Sequence, residues 1–145
     1  MKVIRLGKEE FIKRIASPPI PGIYREFELY PAAADPTTGE IFINQSVAPQ
    51  KLEPFMIEHE DTEVSLLQDL NSPIEFAHRM AVRAEYLHAQ QSCMLDPHHH
   101  FMIDILQELE QRARNTPFLS AKPEDFEEER KYRQEVFIEL SADSK

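Results

Sequence analysis

Residues 55–63 read Phe55-Met56-Ile57-Glu58-His59-Glu60-Asp61-Thr62-Glu63, an apolar lead-in followed by one imidazole and a run of carboxylates. On a helix of 3.6 residues per turn, His59 and Glu63 project from one face, and Glu60 stands about 100° round from His59. Leu52, Phe55, Met56, Val64, Leu67 and Leu70 extend an apolar pattern, which predicts a helix over about Pro49 to Leu70. An imidazole and a carboxylate at one-turn spacing are groups that can grip a divalent cation from a single helix. The neighbouring Glu60 is then placed to accept a proton from water.

Outward from that helix, Asn71-Ser72-Pro73 is a stop and a restart. Ser72 is the expected N-cap, Pro73 the expected first helical residue, and Glu75 belongs to the first turn. The second helix is predicted to run through Ile74, Ala77, Ala81, Ala84 and Leu87 to about Gln91. It carries His78 and Glu85, seven residues apart and so on one face. His59 lies about 12 residues before the turn and Glu63 about 8, while His78 lies about 6 beyond it and Glu85 about 13. At ~1.5 Å rise per residue, an antiparallel hairpin sets His78 near Glu63 and Glu85 level with His59.

Two arrangements fit that alignment. In one, His59 and Glu63 hold a metal ion together with a third ligand from the next helix, where His78 and Glu85 both lie within axial reach. In the other, the same groups form a metal-free network in which His78 bonds Glu63 and Glu85 bonds His59, because buried polar groups need partners. Three protein ligands with a position left open is the catalytic pattern for zinc, and Glu60 is the candidate general base. The imidazoles favour Zn2+ or another first-row transition ion over magnesium and calcium; the carboxylates also suit manganese or iron.

The remaining segments frame this hairpin. Lys8–Ala16 is predicted as a helix with Phe11, Ile12 and Ile15 inward, ended by Pro18, Pro19 and Pro21. Ile23 to Tyr30 reads as a strand, Asp35 to Gly39 as a turn, and Glu40–Asn44 as a second strand paired with the first. Tyr24, Phe27, Tyr30 and Phe42 are expected to pack on a sheet face. Asp96 is expected as an N-cap with Pro97 in first position, which sets His98, His99 and His100 round a helix start, with one of them reaching the site as the alternative. A helix over Phe101 to Arg114 follows, then a charged one over Glu124 to Leu140 whose acidic run Glu124 to Arg130 reads as solvated. His88 is expected at the surface or behind the site, and Cys93 as a small buried hydrophobe. The expected class is α+β, mostly helical, a helical hairpin beside a small sheet. One domain is expected over 1–145, divided into a strand-containing part (1–48), the hairpin (49–92) and C-terminal helices (93–145).

Composition narrows the function. A net charge of −10 over 145 residues argues against nucleic acid as a partner, since a polyanion is repelled. A lone cysteine allows no internal disulfide and no Cys-rich zinc site, which suits a reducing cytoplasm. No stretch reads as a secretory signal or approaches the roughly 20 apolar residues of a membrane span. With glycine only at positions 7, 22 and 39, no phosphate-cradling loop is expected.

The stretch from Ile41 to Glu85, about a third of the chain, resembles a family of small phage-like and mobile-element proteins with a zincin-like core. The residues that carry the resemblance are the strand Ile41-Phe42-Ile43, the His-Glu-x-x-Glu of His59, Glu60 and Glu63, and Ala77-His78-x-x-Ala81-x-x-x-Glu85. The order of strand, metal helix and second helix is also similar to zincin metallopeptidases, in which an edge strand holds substrate beside the metal. The resemblance implies a metal-dependent hydrolase, peptidases included, with His59, Glu63 and His78 as ligands, Glu60 as base, and Glu85 as fourth ligand or orienting group. Zincins carry a second histidine where this chain has Glu63, so the site here is harder and more anionic. The alternative implied function is a non-catalytic helical interaction or accessory protein of phage or mobile-element origin, with a structural or degenerate metal site and a protein or peptide partner.

Overall fold

The computed structural model describes residues 2–16, 27–116 and 122–143. It is α+β and mostly helical: strand β1 (Lys2–Leu6), helix α1 (Lys8–Ala16), strands β2 (Ala32–Ala34) and β3 (Glu40–Asn44), then helices α2 (Glu53–Asp69), α3 (Ile74–Gln91), α4 (Leu95–Asn115) and α5 (Pro123–Asp143). The sheet order is β1-β3-β2, with β1 parallel and β2 antiparallel to β3. The central strand is covered on both faces, which explains its unbroken apolar run. Ile41 and Ile43 point into the core shared with the helical layer, and Phe42 points to the opposite face against Phe11 and Ile15 of α1.

Several local expectations are corrected. Of the strand expected over Ile23 to Tyr30, residues 23–26 lie outside the described residues, as does the packing expected of Tyr24. Phe27–Leu29 forms a 3-10 turn, and the strand that pairs with β3 is Ala32–Ala34. The alternation of four or five residues is too short to separate these options, and the hydrogen bond of Asn44 N–H to Pro31 O at 2.9 Å sets the register. β1 gains its backbone partners only from β3, far along the chain.

Asn71 adopts a left-handed φ of 49°, which turns the chain so that Pro73 is still extended. Pro73 therefore caps α3 through its carbonyl, which accepts from Ala77 N–H at 3.0 Å, and Ser72 is not the N-cap. At the other end of α3, Cys93 takes a φ of 58°. Met94 N–H reaches Ala89 O at 2.8 Å and Cys93 N–H reaches Gln90 O at 3.0 Å, the paired bonds of a Schellman ending. Cys93 is exposed there, not buried. The tight reversal starts α4 at Leu95 with Met94 as N-cap, so Asp96 lies within the first turn and is not the cap. Pro97 is tolerated at the third position because the first N–H groups of a helix have no internal partner. The helix thus begins ahead of Phe101, and the three histidines belong to it.

The helical layer is built from α2 to α5. Pairs His59–Glu85 and His78–Glu63 show α2 and α3 to be antiparallel, and His78–Glu129 with Arg83–Glu139 show α5 running alongside α3 in the same direction. No described helix is long and apolar enough to cross a membrane.

Candidate metal centre

The hairpin brings the residues together as the counting of turns implies. His59 Nε2 lies 3.0 Å from Glu63 Oε2, and His78 Nδ1 lies 3.4 Å from the same oxygen. One ligand atom each from His59, Glu63 and His78 falls within 4.8 Å of the other two, the one such set among the described residues. Glu85 stands on the far side of the His59 ring, its Oε1 at 2.7 Å from Nδ1. It supports the histidine from behind, while its other oxygen is bonded by His98 Nε2 and by Arg133 Nη1, the latter at 2.8 Å.

Arg133 then closes a circuit. Its Nε donates to Glu129 Oε2 at 2.8 Å, and Glu129 Oε2 meets His78 Nε2 at 2.7 Å. The result is a ring of alternating cationic and anionic groups: His59, Glu85, Arg133, Glu129, His78, Glu63 and back to His59. Each imidazole that faces Glu63 thus has a carboxylate on its opposite nitrogen, and one guanidinium anchors both carboxylates. Both contacts of the expected polar network, His78 with Glu63 and Glu85 with His59, are present.

Burial sets the electrostatics. Arg133 and Glu85 side chains are 4% and 2% exposed. Desolvation would raise Glu85, but Arg133 and His98 hold its carboxyl well below the usual range. Desolvation is likewise outweighed at Glu63, where hydrogen bonds from His59 and His78 lower the carboxyl, and at Glu129, which Arg133 and His78 bring down to about 2. Burial opposes charge on the imidazoles too. Glu63 and Glu85 nevertheless raise His59 well above its ordinary value, and Glu129 and Glu63 raise His78. Glu60 differs in kind: burial pushes it up to about 7, with His59 and His78 resisting and Glu63 and Glu85 assisting. It lines the cavity that opens beside the ring, together with His59, Glu63 and His78.

Reading turn spacing in two helices missed three participants. Glu129 and Arg133 lie on the buried stripe of α5 marked by Phe126, Val136 and Leu140, and charged residues on an apolar stripe are the signal that could have found them. The run Glu124 to Arg130 is therefore not wholly solvated, since Phe126 is buried and Glu129 joins the ring. His98 sits in the first turn of α4 and is fully buried against Glu85, so of the three histidines round the helix start it is the one that reaches the site. Its Nδ1 has no hydrogen-bond partner among the described residues and its ring lies edge-on to Phe55 and Tyr86. His99 accepts from Tyr86 Oη–H at 2.8 Å through Nδ1 and donates through Nε2 to Gln134 at 2.8 Å, so it braces α3, α4 and α5. His88 stays partly exposed beside Phe55.

Comparison with protein-family models, curated proteins and solved structures found no match for the chain.

Proposed function

We propose that the protein is a zincin-like metal-dependent hydrolase in which His59, Glu63 and His78 hold Zn2+ or another divalent transition ion. The observation that carries this reading is the carboxylate behind each imidazole. Glu85 on His59 Nδ1 and Glu129 on His78 Nε2 fix the tautomer that leaves the other nitrogen free to ligate, an arrangement typical of metal-binding histidines. The donor set also fits in charge, because the anionic carboxylates around the ring outnumber its one permanent cation, Arg133. A bound ion would supply Lewis acidity and lower the pKa of water at the site.

The chain's own groups then have distinct roles. Glu60, raised to about 7, accepts a proton from water near neutral pH and returns it to the leaving group. Glu85 and Glu129 orient the imidazoles, and Arg133 keeps both carboxylates ionised. In amide or ester hydrolysis, the oxygen and one hydrogen of water join the acyl carbon while the other hydrogen passes through Glu60 to the departing nitrogen or oxygen. Peptide cleavage is one form of this reaction. We assign the protein to a reducing cytoplasm on its single cysteine and expect no nucleic-acid partner, given its net charge of −10.

A second reading follows from the closure of the ring. With both imidazoles protonated, its bonds are satisfied without a metal, which fits a non-catalytic interaction protein with a structural or degenerate site. Metal analysis of untagged protein separates the two. Stoichiometric metal, lost in His59→Ala but kept in Glu60→Gln while hydrolysis disappears, supports the hydrolase. Metal-free protein whose stability is unchanged by chelators supports the second reading.

A further inference from the structure

The cavity beside the ring has a volume of about 370 Å3, and its chemistry is divided. His59, Glu60, Glu63 and His78 contribute polar groups. Much of the remaining wall is apolar: Met102, Ile105, Leu106 and Leu109 form one face of α4, and Phe126 of α5 joins them. Ala32–Ala34, an edge strand of the sheet, also lines the cavity and carries no side chain larger than a methyl group. Arg133 is the one guanidinium or ammonium group among the described lining residues, and it is committed to Glu85 and Glu129. Asp125 adds a further carboxylate. An anionic tail would meet carboxylates with no free cation to receive it.

We propose that this chamber receives the apolar acyl portion of a neutral amide or ester, with the scissile carbonyl placed at His59, Glu63 and His78. The assignment names the substrate class of the proposed hydrolase and rests on that reading. The apolar wall supplies affinity in proportion to chain length, while the acidic groups at the ring exclude carboxylate and phosphate tails. Met102 is a suitable probe because it is only partly buried and lies outside the core clusters.

The test uses acetamide, butyramide, hexanamide and octanamide as probes, titrated into the full-length protein in zinc-loaded and chelator-treated forms. Affinity is expected to rise about fourfold per added methylene until the chamber is filled, and to do so in both forms. Met102→Trp should reduce octanamide affinity at least tenfold without changing zinc affinity. Met102→Gln, which polarises the same wall, gives a second route to that loss should the tryptophan variant not fold. Binding that does not depend on chain length, or an undiminished octanamide affinity in the folded Met102 variants, overturns the proposal. Zinc titration of the same samples reads the ring separately. Length-dependent binding without zinc binding supports the apolar chamber and refutes the metal-dependent hydrolase.

Discussion

Replacing Arg133 by Met removes the cation that holds Glu85 and Glu129 together. The guanidinium is 4% exposed and lies 2.8 Å from each carboxylate, and Glu85 is 2% exposed, so its charge cannot be rehydrated without opening the packing of α3 against α5. Breaking a buried ion pair by deleting one partner costs about 3–5 kcal/mol. For a chain of this size that corresponds to a fall in Tm on the order of 10–15 °C. The loss should depend on pH, because protonated His59 and His78 are the neighbouring groups best placed to replace the missing charge. Arg133→Met should therefore be less damaging at pH 6 than at pH 8. Adding Glu85→Gln removes the stranded carboxylate, so the double variant should lose at least ~1 kcal/mol less than the sum of the singles. Urea unfolding of the four proteins at the two pH values measures each quantity. Additive losses, or an Arg133→Met loss below about 1 kcal/mol at pH 8, would refute the claim that the guanidinium closes a buried charge ring.

In the metal-free protein, the raised His59 and His78 contribute stability that is complete below their unfolded value of about 6.5 and is lost as pH rises through their folded values. Glu60 acts in the same direction, its contribution fading as pH rises through about 7. The lowered Glu63 and Glu129 contribute above their unfolded range, near 4.3, and lose that contribution as pH falls towards about 2 for Glu129. Because the Glu60 contribution already declines above its unfolded value near 4.3, chemical denaturation across pH should show a maximum near pH 5; stability still rising from pH 6 to 8 contradicts these assignments. Zinc affinity should increase from pH 6 to 8, since the imidazoles must release their protons to ligate, and calorimetry in two buffers will count the protons released. Tyr86→Phe leaves His99 Nδ1 without its donor and should cost about 1–3 kcal/mol while zinc affinity stays constant. Cys93→Gly relieves a left-handed backbone at an exposed helix end and should stabilise by roughly 1 kcal/mol, with native Cys93 reacting freely with a thiol reagent.

The mostly helical α+β character, the strand Glu40–Asn44 and the hairpin carrying His59, Glu63, His78 and Glu85 were legible in the chain. Turn spacing and an antiparallel return are local rules: 1.5 Å per residue and one tight turn suffice to bring those side chains level. What the chain alone left open was decided by packing. β1 finds β3 across a long separation, Ala32–Ala34 takes the pairing expected of an earlier segment, and the reversal at Cys93 starts α4 early enough to bury His98 on Glu85. Above all, α5 lays Glu129 and Arg133 against α3 and completes the ring. Such contacts between residues some fifty positions apart follow no spacing rule. They arise because an apolar stripe must be covered, and whatever charge that stripe carries must find a partner where it is buried.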